Sequence, residues 1–173
     1  MPEATMVMYE GEYQRIKAIL AKLRTDANAK MVFLVDKNGQ PIAAHGEIGN
    51  LDTTSLASLT AGNVAATDGL ARLIGEKEFP VLSHEGERDN IHISVVAGRV
   101  ILVVIFDERS SLGLVRLRVK RASAELTGVF DEIMRKVEQE KNQFAGGLNT
   151  PFAEITDEDI DRLFCDEDGK WGN

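Results

Sequence analysis

Seven consecutive apolar residues, Val100 to Phe106, limit what this chain can fold into more than any other feature. A β-branched run of that length, bounded by turn residues, is what a strand covered on both faces requires, so it is the candidate for the centre of a sheet. Ala97-Gly98-Arg99 joins it to Ile91–Val96, where apolar and polar residues alternate with period two, as expected of a half-buried antiparallel strand. A polar turn, Gly86 to Asn90, leads back to a third strand over Phe79–Glu85. Turns this short connect antiparallel neighbours and leave no room for a crossover helix.

A second strand pair lies upstream. Met31–Val35 is a nearly unbroken apolar run, and Asp36-Lys37-Asn38-Gly39 follows at once. Asn-Gly is a strong hairpin signal because both residues tolerate positive φ, and Gln40–His45 is the expected return strand. Pro41 has no N–H to give to a ladder, which puts that strand at an edge or makes it short.

Helices separate the strand groups. Tyr13, Ile16, Leu20, Leu23 and Ala27 recur every three or four residues and predict a helix over Tyr9–Thr25. Asp52 is the expected N-cap of a second helix running to about Ile74, with Gly75 as the left-handed residue that stops it. Leu56, Leu59, Leu70, Leu73 and Ile74 are its expected core face, while Ala57, Ser58, Ala61, Gly62, Ala65, Ala66 and Gly69 make its middle small. Two helical glycines disfavour the helix by ~0.5–1 kcal/mol each relative to alanine. Either the helix packs closely over its own sheet, or another backbone approaches this face. After Asp107 the pattern is ambiguous: Leu114–Lys120 alternates like a strand, yet Leu112, Val119, Leu126, Ile133 and Val137 fit one long helix to about Lys141, the preferred reading. The order is helix, two strands, helix, three strands, long helix and tail, which is an α+β domain.

At 173 residues the chain is long enough for one domain with a real core. The expected segments are an N-terminal extension over 1–8, the domain over 9–141, a linker over 142–150 and a tail over 151–173. The net charge of −8 argues against a polyanion ligand, and it is concentrated in the tail, where eight acids face only Arg162 and Lys170. Within that tail, Thr156-Asp157-Glu158-Asp159 is a helix start, and Ile160, Leu163 and Phe164 follow at i, i+3, i+4. So short a helix must dock on something. One cysteine, Cys165, excludes an internal disulfide framework. No secretory signal and no membrane-length apolar run is present, so a cytoplasmic location is expected.

Catalytic chemistry is sparse. Phosphate loops, dinucleotide fingerprints and nucleophile elbows are absent from the sequence. If the 86–90 hairpin turns about Arg88, His84 and His92 become cross-strand neighbours on one face, but two polar-face histidines are a more ordinary outcome than a metal site. Arg116, Arg118, Lys120 and Arg121 form a basic cluster with no acid between Glu108 and Glu125. No aromatic residue is interleaved to stack bases, so a solvated helix start is favoured, with a partner's acidic patch second. Cys165 has no base nearby in sequence, and Trp171 has no evident role. No cofactor, metal, nucleic acid or membrane partner is expected, nor an enzymatic site.

Phe33–Gly39, Val103–Asp107 and Ser110–Arg118 resemble the Roadblock/LC7 family, and within it the bacterial MglB type. Asp52 to Ala66 resembles the second helix of that type, and Pro151–Ile155 with Ile160, Asp161, Leu163 and Phe164 resembles its tail. The likeness covers roughly residues 7–165; Thr67-Asp68 departs from the smaller or apolar residues of the type. It implies a five-stranded antiparallel sheet with helices on both faces, and it resolves residues 112–141 as helix. It also implies a homodimer whose sheets join across a twofold axis with the second helices paired. Such dimers bind an MglA-like Ras-family small GTPase in its GTP state and speed hydrolysis by repositioning the GTPase's own groups, which sets cell polarity and motility. The partner-binding residues so implied are Ala61, Gly62, Ala65, Ala66 and Gly69, with Phe152, Ile155, Ile160, Leu163 and Phe164 of the tail. A dimeric scaffold without effect on turnover is the alternative reading; a small-molecule sensor is disfavoured because no polar cluster marks a pocket.

Overall fold

The computed structural model describes residues 8–147. Its elements are α1 (Glu10–Asp26), β1 (Met31–Asp36), β2 (Pro41–Gly46), α2 (Thr53–Leu73), β3 (Val81–Glu85), β4 (Asn90–Val96), β5 (Val100–Phe106) and α3 (Leu112–Gly147). The expected α-β-β-α-β-β-β-α order is therefore present, and 112–141 is helix. The compact unit ends at Ile133; a second unit begins at Met134, and its described part is the helical backbone to Gly147. Residues 142–147, expected as linker, are thus helical.

One antiparallel sheet runs β2-β1-β5-β4-β3. The seven-residue apolar strand is its centre, with β1 and β4 on either side and six of its residues buried. Pro41 sits on an edge strand, where its missing N–H breaks no ladder. Alternation sends Met31, Phe33, Val35, Ile93, Ile101 and Val103 to one face, where they pack with Ala57, Ala61 and Val64 of α2. The alternate residues Val32, Leu34, Leu102 and Val104 are fully buried on the other face, where α1 packs on β1 and β2. α3 lies beside α1, tied to it by Arg15–Glu132 and Lys22–Glu125.

Three expectations about strands change. The 36–39 turn places only Gly39 at positive φ (+88°), because the Asp36 carboxylate accepts hydrogen bonds from Asn38 N and Gln40 N and holds Asn38 in an ordinary conformation. A Cβ on Gly39 would come within 3.1 Å of Ser58 Cα, so this turn tucks under α2. β4 is more than half-buried, since His92 and Ser94 on its polar side are also covered. Finally, β3 pairs His84 with Ile91 and Ser83 with His92. The hairpin pivots half a residue away from Arg88, and that slip puts the two histidines on opposite faces of the sheet.

Candidate functional site

α2 begins where the Asp52 carboxylate accepts hydrogen bonds from Thr54 N and Ser55 N and from the Ser55 hydroxyl. The hydroxyl of Ser55, then the backbone donors, hold the Asp52 carboxyl below its usual pKa. The helix ends at Ile74, and Gly75 takes the left-handed conformation (φ +82°) foreseen for it.

Between these ends the two faces are the reverse of the expected ones. The buried residues are Ala57, Thr60, Ala61, Val64 and Ala71. Of the leucines expected in the core, Leu59 is 72% exposed, Leu70 60% and Leu73 83%, with Ile74 at 70%; Leu56 alone is partly buried. Small residues face the sheet because the β1–β2 turn and the apolar strands come close beneath them, and a leucine there would overfill the gap. The large side chains are left pointing outward.

That outward face has a definite spacing. Ser55, Leu59, Gly62, Ala66, Gly69 and Leu73 follow one another by four, three, four, three and four residues, the repeat of a helix–helix seam. Ala65 is also exposed, on one flank. On the other flank Asn63 reaches β3, its Nδ2 lying 3.0 Å from His84 Nε2. Val81 of the edge strand β3 is 45% exposed. Gly62 and Gly69 would have nothing within 4 Å of an added Cβ. Nothing among the described residues therefore requires glycine there. Of the implied partner residues, Gly62, Ala65, Ala66 and Gly69 share this outward surface, whereas Ala61 is 8% exposed and packs against the sheet. Phe152, Ile155, Ile160, Leu163 and Phe164 lie outside the described residues. Leu59, Leu70, Leu73 and Ile74 are surface residues against expectation; the three-four spacing of Leu59 and Leu73 with Gly62 and Gly69 was the signal in the sequence.

Elsewhere the polar groups are arranged for structure. At one end of the sheet Arg24 pairs with Glu47, which also meets Arg109, and Arg109 Nε lies 2.9 Å from Asp107 Oδ1. The Asp107 hydrogen bond raises the Arg109 pKa, and the same bond lowers that of Asp107. Lys30 Nζ lies 2.9 Å from Asp89 Oδ1, and that bond, outweighing desolvation, raises the lysine pKa. Arg88 and Arg99 stand on the β3–β4 and β4–β5 turns, hence at opposite ends of the sheet. No group of three or more metal-ligating side chains occurs among the described residues. No helix among them is long and apolar enough to cross a membrane.

With this geometry in place, the chain matches the Roadblock/LC7 domain family over residues 15–106. It is similar to Myxococcus xanthus MglB, with 62% identity over 73% of this chain and 96% of that one and a TM-score of 0.70. It is also similar to the gliding protein MglB of Thermus thermophilus, with 34% identity over 75% and 98% of the two chains and a TM-score of 0.70. An uncharacterised protein of Methanocaldococcus jannaschii is 30% identical over 66% of this chain and 96% of its own length.

Proposed function

The chain belongs to the Roadblock/LC7 family and is of the MglB type, and on that premise we propose that it is a homodimeric GTPase activator. Its partner is an MglA-like Ras-family small GTPase in the GTP state, and its output is control of cell polarity and motility. The observation that carries this reading is the outward face of α2. Exposed leucines at both ends of the seam supply apolar area for a second copy, and the small residues Gly62, Ala65, Ala66 and Gly69 let another backbone come near. The tail residues Phe152, Ile155, Ile160, Leu163 and Phe164 form a second contact with the GTPase in this proposal.

Activators of this kind either insert an arginine at the transferring phosphoryl group or reposition the GTPase's own groups. The second mode is proposed here. Arg109 is already held by Asp107 and Glu47, and Arg88 and Arg99 lie at opposite ends of the sheet from one another. The chain then has no catalytic site of its own.

Single-turnover GTP hydrolysis by the cognate GTPase, with and without this chain, tests the proposal. Stimulation should disappear on Ala65→Arg, while the melting temperature of the isolated chain is unchanged. Binding without acceleration by the native chain would make it a scaffold instead. Alanine at Arg88, Arg99 or Arg109 should leave stimulation within a few-fold; a loss near the ~10³-fold that an inserted arginine supplies would reject repositioning.

A further inference from the structure

The face of the sheet opposite α2 carries a surface apart from the α2 part of the proposed GTPase contact. Over the first turns of α3, Arg116, Arg118, Lys120 and Arg121 make no ion pair among the described residues. No acid occurs from Arg109 to Ala124. By contrast, Arg15 and Lys22 on the neighbouring α1 are both paired with acids of α3. Leu117 stands at the crest of this basic stretch, 52% exposed.

A cleft of about 60 Å³ opens between the two helices, lined by the cations Lys22, Arg118 and Arg121, the carboxylates Asp26 and Glu125, and the apolar Ile19, Leu23 and Ala122. Glu125 is already paired with Lys22, and the cations outnumber the acids. That is room for a carboxylate or two waters, not for a drug-sized ligand. The Nε of Arg118 is buried and has no hydrogen-bond acceptor among the described residues. A buried guanidinium donor left open is a site that an incoming carboxylate would satisfy with a charge-assisted bond.

We propose that this α1–α3 face docks an acidic segment of a second protein, with carboxylates flanking an apolar side chain. One carboxylate enters the cleft against Arg118 and Arg121, the apolar side chain covers Leu117, and further acids meet Arg116 and Lys120 on the far flank. Charge complementarity selects the class of partner. A nucleic acid is disfavoured by the net charge of −8, which repels a polyanion beyond the local basic patch. An anionic bilayer would need more apolar area than one leucine offers. Because α2 lies across the sheet, such a partner leaves the α2 part of the proposed GTPase contact open.

The test is fluorescence anisotropy of a short labelled peptide in which glutamates flank a central leucine, titrated with the full-length chain at low salt. Saturable binding that weakens as salt rises is expected. Arg118→Gln with Arg121→Gln should weaken it by at least about ten-fold, as should exchanging the peptide's glutamates for glutamine. Ala65→Arg, on the opposite face, should bind the peptide as the native chain does, whether or not the GTPase reading holds. If the arginine pair melts abnormally, Leu117→Glu with Lys120→Glu tests the same surface from exposed positions and should abolish binding. Equal affinity for the glutamine peptide, no loss in either double variant, or tighter binding to anionic vesicles or to an oligonucleotide would overturn the proposal.

Discussion

His92 is 1% exposed on β4, beneath the start of α3. Its Nδ1 lies 3.1 Å from the Ser83 hydroxyl of β3, and the groups around it include Val104 of β5 and the Arg116 charge of α3. Burial lowers its pKa from 6.5 and Arg116 lowers it further, so the imidazole is neutral in the folded chain at neutral pH. The unfolded chain binds the proton first as pH falls. Stability is therefore full above a pH of about 6.5 and is lost progressively as pH drops toward the folded pKa. Thermal melts between pH 7.5 and 5 should show the native chain losing more melting temperature than His92→Gln. Parallel curves for the two would show that the site is wet. The histidine was visible in the sequence, but its place was not. A strand pairing shifted by one residue exchanges the two faces, and the composition of a polar turn does not fix that shift to the residue.

At the scale of elements, α2 separates two demands that a helix normally meets with one face. Its small residues Ala57, Ala61 and Ala71 pack inward, and Leu59, Leu70 and Leu73 remain outside. Alanine at both Gly62 and Gly69 should stabilise the isolated chain by about 0.5–1 kcal/mol per site, because the added methyl groups meet nothing within 4 Å. The same pair should reduce GTPase stimulation. A higher melting temperature together with undiminished stimulation would mean that no backbone approaches this seam. The helix itself was plain from Asp52 and Gly75, and the strands from their apolar runs and turns. Which side of α2 faced inward was not plain. The hydrophobic count favoured Leu59, Leu70 and Leu73, and only the close passage of the β1–β2 turn, a tertiary fact, reverses the choice.

For the molecule as a whole, an edge strand with Val81 exposed lies next to an outward leucine seam, and their joint burial against a second copy is the proposed dimer. Leu73→Arg, at a position 83% exposed, should leave the fold intact and shift sedimentation equilibrium toward monomer; an unshifted equilibrium would place the self-association surface elsewhere. The centre of the sheet has a further consequence. β5 is the last strand among the described residues, yet it alone joins β1, some seventy residues earlier, to β4. As the chain leaves the ribosome, the β1–β2 and β3–β4 hairpins can close locally, but each keeps one inner edge unsatisfied until Phe106 has emerged. The nascent chain thus spends the interval between its first and last strands with two open sheet edges. A translational pause or a frameshift before Phe106 would leave half-sheets prone to pair with one another, and the burden would fall on chaperones rather than on the finished fold.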